Sequence, residues 1–262
     1  MIEKSITPKQ IKINNRNLIY QYIYNKKNVS QMDIAYDLHL SRPTVTTKLT
    51  ELEEDGMIIK DGQIDTEFVG RKASAYKIVE DYKVSIGVEI LKKEIKIIAI
   101  NLYGESIKRL VHEIPYKNAE AYFENVCKII LTFKDSLRIK DEQVLGIGFA
   151  MQGLISPDSQ TVLYGKILDC TGLSINAFTK YLPYPCSFIH DADSAAIAEL
   201  WASPDLADAF YLSISKHLGA SIIVNRKIIR GNHGHSATVE HIEMNPNGKL
   251  CYCGKKGCME TF

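Results

Sequence analysis

The chain has 262 residues, of which 45% are hydrophobic and 24% charged, and its formal net charge is +1. This composition is that of a globular protein with room for a small domain and a medium-sized one. No apolar run approaches the roughly 18 residues that cross a bilayer, and the first ten residues lack a signal-peptide core, so we expect a cytoplasmic protein. The near-zero charge gives no compositional argument for nucleic-acid binding, which must come from motifs.

The first part of the chain predicts three helices followed by a β-hairpin. Apolar residues recur at helical spacing over residues 11–25. Ser30 can cap a second helix and Ser41 a third, since serine side chains accept hydrogen bonds from the first backbone N–H groups of a helix. Two short strands, at residues 57–60 and 75–79, are joined by a polar loop. This order of elements is typical of a winged helix.

The second and third helices have the layout of a helix-turn-helix. The third opens with Ser-Arg-Pro-Thr-Val-Thr-Thr-Lys, and such a motif places this end of its second helix in the DNA major groove. Basic side chains can donate to guanine edges or phosphates, and threonines suit phosphates and thymine methyls. The alternative is a small helical bundle with a solvated basic surface. The predicted DNA-contacting residues are Ser41, Arg42, Thr44, Thr46, Thr47 and Lys48 of the helix and Arg71 and Lys72 of the hairpin loop.

After about residue 80 strands alternate with helices, which predicts an α/β domain. Residues 144–151 are almost wholly apolar, as in a strand buried on both faces. The other predicted elements are strands at 84–90, 94–102, 107–114, 187–191, 210–215 and 220–225, a helix over 118–137 and a helix through 195–201.

Four residues near the end of the chain predict a metal site. His241, Cys251, Cys253 and Cys258 supply one imidazole and three thiolates within 18 residues. This is the Cys₃His set of closed tetrahedral zinc sites, and the Gly-Lys-Lys-Gly between the last two cysteines suits a compact knuckle. With no sign of secretion, a structural zinc is favoured over disulfides. Four protein ligands leave no open position for catalysis, and the alternative is three free cysteines in a turn.

Several motifs of the α/β part resemble the ROK family (repressors, open reading frames and sugar kinases). They are Gly-Asn-His-Gly at 231–234, Glu-His at 240–241 and Cys-x-Cys-Gly-x-x-Gly-Cys-x-Glu at 251–260. Residues 146–153 resemble the family's apolar strand and glycine turn, and residues 190–193 resemble its Asn-Asp element. With the helix-turn-helix in front, the whole chain is similar to the repressor branch of the family.

The resemblance implies an α/β chain with a winged helix-turn-helix at residues 1–80. An actin-like, ribonuclease H-like ROK effector domain would follow at 81–262, with a zinc knuckle at 241–258. It also implies a sugar bound between two lobes, with the family's sugar-contacting aspartate, histidine and glutamate falling on Asp191, His241 and Glu260. The predicted effector-contacting residues are His190, Asp191, Thr238, His241 and Glu260.

The chain departs from the family's kinases at both phosphate loops. The Asp-x-Gly-Gly-Thr loop is Glu-Ile-Leu-Lys-Lys at residues 89–93, and Gly-Thr-Gly-x-Gly is Ser-Lys-His-Leu-Gly at 215–219. Long side chains in place of glycine predict a blocked phosphate cradle and no phosphoryl transfer. His190 stands for an asparagine and Thr238 for a glutamate, so the hydrogen-bonding groups of the pocket differ. Because the family's domain usually continues past the zinc run, we expect a C-terminally shortened second lobe.

The sequence therefore predicts a transcriptional regulator, expected to repress carbohydrate-utilisation genes, that senses a sugar or sugar derivative without phosphorylating it. The expected partners are double-stranded operator DNA, the small-molecule effector and a second copy of the chain in a homodimer or higher oligomer. Dimers of this kind read half-sites about one or two helical turns apart. Two alternatives stay open: an active sugar kinase with an accessory DNA-binding domain, and a zinc-stabilised DNA-binding protein without an effector.

Overall fold

The structure is a computed structural model that describes residues 8–64, 73–231 and 234–262. The chain divides into two compact units, Met1–Tyr82 and Lys83–Phe262. None of the described helices is both long enough and apolar enough to cross a membrane. The predicted wing residues Arg71 and Lys72 lie outside the described residues.

The first unit combines three helices with a small antiparallel sheet. The helices are α1 (Pro8–Lys26), α2 (Gln31–Asp37) and α3 (Arg42–Glu54), and the strands are β1 (Val29–Ser30), β2 (Ile58–Ile64) and β3 (Ala73–Ile78). The strand order is β1-β3-β2. The fully buried side chains come from all three helices and from the hairpin, including Ile19, Ile23, Ile34, Val45, Leu49, Leu52, Ile58 and Ile78.

Two serines determine where α2 and α3 begin. Ser30 Oγ accepts a hydrogen bond from the N–H of Asp33 (3.2 Å), and the Asp33 carboxylate accepts one from the N–H of Ser30 (2.9 Å). This reciprocal capping box satisfies two N–H groups that the helix leaves unpaired. Ser41 caps α3 through the N–H of Thr44 (3.4 Å). Between the helices His39 has φ 51°, a left-handed conformation that turns the chain sharply from α2 into α3.

The second unit contains ten strands and three α-helices among its described residues. In chain order the elements are β4 (Val84–Ile90), β5 (Glu94–Ile100), β6 (Ser106–Glu113), α4 (Glu120–Asp135), β7 (Val144–Met151), β8 (Leu154–Ile155), β9 (Val162–Tyr164), α5 (Asn176–Thr179), β10 (Cys186–His190), α6 (Asp191–Ala202), β11 (Ala209–Ile214), β12 (Leu218–Val224) and β13 (Lys227–Ile228). The larger sheet has the order β10-β7-β4-β5-β6, and a smaller antiparallel sheet has the order β11-β12-β13.

The larger sheet packs against α4 and α5 through an aromatic cluster. Phe178 of α5 stacks on Phe149 of β7 with ring centroids 4.3 Å apart, and it makes an edge-to-face contact with Phe123 of α4 with ring centroids 5.2 Å apart. All three side chains are buried. Burial of such large apolar surface holds the sheet and these helices together.

Two parallel strands of the larger sheet end side by side. Met151 of β7 is the register partner of His190 of β10, so the Gln-Gly turn after β7 and the first turn of α6 lie at the same edge. Gly153 is required in that turn, because a Cβ there would come within 2.5 Å of the carbonyl oxygen of Tyr164. The carboxyl ends of parallel strands are the usual place for a ligand in α/β folds.

Candidate functional site

The exposed start of α3 is the first candidate site. Ser41, Arg42, Thr46 and Thr47 are exposed and Thr44 is half-buried. No ion pair links the Arg42 guanidinium to any residue in the described part of the chain. An unpaired guanidinium at this end of a helix is available to a base edge or a phosphate.

Two threonines of this helix donate their hydroxyl hydrogen bonds to backbone carbonyl groups of the same helix. Thr46 Oγ1 donates to the carbonyl oxygen of Arg42 (2.9 Å), and Thr47 Oγ1 donates to that of Pro43 (3.0 Å). Gln31 of α2 donates to Thr46 Oγ1 at 2.5 Å. These bonds fix the rotamers of both threonines and leave methyl groups and oxygen lone pairs for a partner.

Lys48 does not have the placement that the sequence predicted for a DNA-facing residue. Its side chain is buried, and its Nζ lies 2.6 and 2.7 Å from the two carboxylate oxygens of Glu51. The reason is helical periodicity. Lys48 follows Val45 by three residues and precedes Leu52 by four, so it shares the face that packs into the core.

The four predicted metal ligands lie together in the second unit. Cys251 Sγ is 3.6 Å from His241 Nδ1, Cys253 Sγ is 3.6 Å from Cys258 Sγ, and all four ligand atoms lie within 4.8 Å of one another. With zinc–sulfur bonds of about 2.3 Å, the ligand atoms of a tetrahedral site lie about 3.7 Å apart. The donor set and its spacing therefore fit a tetrahedral metal ion.

The backbone around these ligands is shaped for close turns. Gly257 has φ 62°, and a Cβ at this position would lie 1.6 Å from the carbonyl oxygen of Asn245. The N–H of Cys251 donates to the carbonyl oxygen of Lys255 (2.8 Å), which closes the knuckle. These turns bring the three thiols around one point.

A cavity opens where β7 and β10 end. Its polar lining includes imidazoles, carboxylates and two tyrosines, and the turn after β7 forms part of its wall. The residues that line it are Gln152, Gly153, Leu154, Tyr164, Lys166, Ile167, His190, Asp191, His217, Leu218, Glu240, His241 and Tyr252. The polar lining suits a ligand rich in hydroxyl groups, such as a sugar.

Asp191 is the first residue of α6 and faces this cavity. One of its carboxylate oxygens accepts a hydrogen bond from the N–H of Ala192 (2.8 Å) and lies 3.3 Å from His190 Nε2. Burial raises the pKa of Asp191, against the opposing effect of His190. The second oxygen has no partner among the described residues, so it is available to accept a hydrogen bond from a ligand.

The structure brings together three of the five predicted effector residues. His190, Asp191 and His241 line the same cavity. Thr238 lines an adjoining cavity, to which His190 also contributes. Glu260 lines neither cavity. Its carboxylate accepts a hydrogen bond from the N–H of Leu218 (2.8 Å) and lies 2.6 Å from His217 Nδ1.

Among the cavity residues that sequence reasoning did not assign to the site are His217, Glu240 and Tyr252. From the sequence, His217 was interpreted only as a residue that replaces a glycine of a phosphate loop. It is the one histidine on the connection between β11 and β12. Glu240 has a pKa raised by burial, and its Oε1 lies 4.0 Å from His241 Nε2. Tyr252 lies between the predicted metal ligands Cys251 and Cys253 in the sequence, and this position indicates that it lies close to His241.

The comparisons with known proteins divide the chain as the structure does. The model of the ROK family matches residues 85–262, and that of the MarR family matches residues 19–61. The chain is 27% identical over 248 residues to the DNA-binding transcriptional dual regulator NagC of Escherichia coli (strain K12), covering 93% of this chain and 61% of that protein. It is also 27% identical over 255 residues to the xylose repressor of Caldicellulosiruptor bescii, covering 95% and 63%. It therefore spans about three fifths of the length of these relatives.

The fold has a counterpart among solved structures. The crystal structure of a ROK family transcriptional regulator, a homologue of the E. coli MLC protein, matches with a TM-score of 0.72 at 23% identity, over 96% of this chain and 64% of that one. The predicted fold class, a helix-turn-helix unit followed by an actin-like domain, is confirmed.

Proposed function

We propose that this chain, which belongs to the ROK family, is a DNA-binding transcriptional regulator controlled by a sugar or sugar derivative. The observation that carries the proposal is the exposed start of α3, with the Arg42 guanidinium open to solvent, on the same chain as a cavity with a polar lining. Relatives named as an N-acetylglucosamine repressor and a xylose repressor support it.

The DNA contacts are proposed to come from Ser41, Arg42, Thr44, Thr46 and Thr47. A homodimer would present two α3 helices to a two-fold symmetric operator. Arg42→Ala is expected to weaken specific binding by about 1–3 kcal/mol if the guanidinium reads a base. Lys26→Ala is the control, because it removes the same charge from the end of α1. Footprints without a protected palindrome, or an Arg42→Ala protein with unchanged specificity, would contradict this assignment.

The effector is proposed to bind without being phosphorylated. The support is the sequence at residues 89–93 and 215–219, where side chains replace the glycines of kinase phosphate loops. Thermal unfolding with N-acetyl-D-glucosamine, D-xylose and D-glucose tests binding, because a ligand that binds the native state raises the midpoint. A coupled assay of sugar-dependent ATP hydrolysis tests the kinase alternative. Turnover with any of these sugars would exclude a purely sensory role.

The metal ion proposed for the knuckle is a structural Zn²⁺ held by His241, Cys251, Cys253 and Cys258. Such an ion supplies folding free energy and offers no open coordination position. We expect one zinc per chain in the parent and in Cys186→Ser, whose thiol lies outside the cluster, and a loss of zinc in Cys258→Ser. Elemental analysis of protein purified without chelator is the measurement, and zinc-free parent protein would overturn the assignment.

A further inference from the structure

We propose that His217 contacts the effector directly and that Glu260 acts as its positioning residue. The inference rests on the sugar-sensing function proposed above and assigns the roles of two residues within that site. It also names the ligand chemistry that the site selects, a neutral sugar whose hydroxyl groups both donate and accept hydrogen bonds.

His217 is held at the cavity by the smaller sheet. Ile214 of β11 pairs with Leu218 of β12, so residues 215–217 form a short hairpin connection whose ends are fixed. His217 lines the cavity together with Asp191 and His241. It occupies the sequence position of a phosphate loop in the family's kinases, and the structure supplies an imidazole there.

Glu260 is placed to act through His217. Its side chain is only 7% exposed and does not line the cavity. One carboxylate oxygen lies 2.6 Å from His217 Nδ1, and the other accepts the N–H of Leu218 at 2.8 Å. Both oxygens are thus engaged by the hairpin connection. Because Cys258 is two residues earlier, the metal cluster anchors the segment that carries this carboxylate.

The Glu260 carboxylate determines which ring nitrogen of His217 carries the proton. A carboxylate accepts hydrogen bonds and does not donate them, so it favours the Nδ1–H tautomer. The other nitrogen, Nε2, is then an acceptor for a ligand. The ring of Tyr252 makes edge-to-face contacts with both imidazoles. The centroid distances are 6.0 Å to His217 and 5.1 Å to His241.

His241 offers the opposite hydrogen-bonding group. Its Nδ1 faces Cys251 among the predicted metal ligands. With the proposed Zn²⁺ bound at Nδ1, the ring proton would be on Nε2, which then donates to the ligand. The cavity therefore presents an acceptor on His217, a donor on His241 and a carboxylate oxygen on Asp191. A sugar hydroxyl matches all three. A phosphate group offers chiefly acceptor oxygens and negative charge, and beside His217 and Asp191 it meets an acceptor and a carboxylate. Lys166, which also lines the cavity, is a cation that a phosphate could reach, so binding of a sugar phosphate is included in the test.

The test is a double-mutant cycle in the full, metal-loaded chain. His217→Asn keeps a donor for Glu260 but removes Nε2, and Glu260→Gln leaves one acceptor oxygen for two donors. D-Glucose, N-acetyl-D-glucosamine and D-xylose are titrated by calorimetry. Each single variant is expected to lose about 3- to 10-fold in affinity, the equivalent of one hydrogen bond, and the double variant no more than either. His112→Asn, an exposed histidine of β6, is the control for a change of residue type.

The outcomes separate this inference from the proposed function. If the parent binds a sugar and His217→Asn binds it equally well, the contact is overturned and sugar sensing stands. If the two losses add, Glu260 touches the sugar itself and the positioning role is overturned. Tighter binding of D-glucose 6-phosphate than of D-glucose overturns the ligand class. If no sugar binds the parent, sugar sensing and this inference fall together. Unchanged zinc content and unfolding midpoint in the variants exclude a folding defect as the cause.

Discussion

The two sheets of the second unit are stabilised in different ways. Along β4 every second residue is fully buried, and the larger sheet packs on the aromatic cluster around Phe178. Along β11 no residue is fully buried, and Phe210, Leu212 and Ile214 are 54%, 42% and 76% exposed. The larger sheet is therefore held by extensive apolar burial, whereas the smaller sheet has a smaller apolar cluster, in which Ile223 of β12 packs with Ala196 and Leu200 of α6.

Buried hydrogen bonds also connect the smaller sheet to α6. Asp193 of α6 accepts hydrogen bonds from Ser221 of β12 (2.7 Å) and from Arg230 (3.1 Å), and both Asp193 and Ser221 are buried. The two sheets supply different residues of the site. The larger sheet presents His190 and Asp191 where β10 ends, and the smaller sheet supplies His217 between β11 and β12.

The largest predicted effect is on the apolar core. Phe178→Ala should lower the free energy of unfolding by about 3–5 kcal/mol, because it removes a fully buried ring from between Phe149 and Phe123 and leaves a cavity. Phe210→Ala is the matched control on β11 and should change the stability by about 0.5 kcal/mol or less. Urea unfolding of the three proteins measures both values. If Phe210→Ala lowers the free energy of unfolding as much as Phe178→Ala does, apolar burial stabilises the two sheets equally.

A smaller effect is predicted at the end of α6. The Arg226 guanidinium donates to the carbonyl oxygens of Leu200, Ser203, Pro204 and Leu206. Arg226→Ala leaves these carbonyls without their donor and should lower the free energy of unfolding by about 1–2 kcal/mol. The loss of a buried network would cost more, because the Arg226 side chain is largely exposed and water can replace it.

Lys227→Ala is the control for Arg226→Ala, because it removes the same charge from the neighbouring residue. It should leave the free energy of unfolding almost unchanged. If both variants lose stability equally, the loss comes from charge, and the four carbonyl contacts do not stabilise the smaller sheet.

The sequence predicted most reliably those features that depend on local chemistry. The strand at residues 144–151 agrees with β7 to the residue, because an apolar run bounded by polar residues marks a strand buried on both faces. Ser30 and Ser41 begin helices as expected, since capping depends on residues three positions apart. The two-residue strands β1, β8 and β13 were missed, because they have no periodicity to recognise.

The site was predicted less completely than the fold. Asp191 and His241 were recognised from motifs, and both line the cavity. Glu260 was expected to face the ligand because it lies two residues from Cys258, but sequence proximity does not fix the direction of a side chain. His217 was missed because its contact with Glu260 joins residues 43 positions apart. Lys48 was predicted to face DNA because of its charge, but its position in the helical repeat places it on the buried face of α3.

The smallest predicted effect is the pH dependence that Asp191 gives to stability. Burial raises the pKa of Asp191 in the folded protein above its value of about 3.9 in the unfolded chain. A raised pKa means that the stabilising contribution is complete below the unfolded value and is lost as the pH rises through the folded value. At pH 7 the charged carboxylate therefore costs stability, and Asp191→Asn, which keeps the hydrogen bond to Ala192, should unfold at a higher temperature than the parent. The difference should shrink as the pH falls towards 4.

Asp141, beside the larger sheet, provides a control of opposite sign. Its pKa is lowered by hydrogen bonds from Lys134 and Tyr184, so its contribution is present above the unfolded value and is lost as the pH falls through the folded one. Asp141→Asn should therefore unfold at a lower temperature than the parent at pH 7, with a difference that also shrinks on acidification. Thermal unfolding of the parent and both variants at several pH values gives the two differences. If Asp191→Asn is destabilised at pH 7 like Asp141→Asn, the Asp191 carboxylate is stabilised by its surroundings and is not held ready for a ligand.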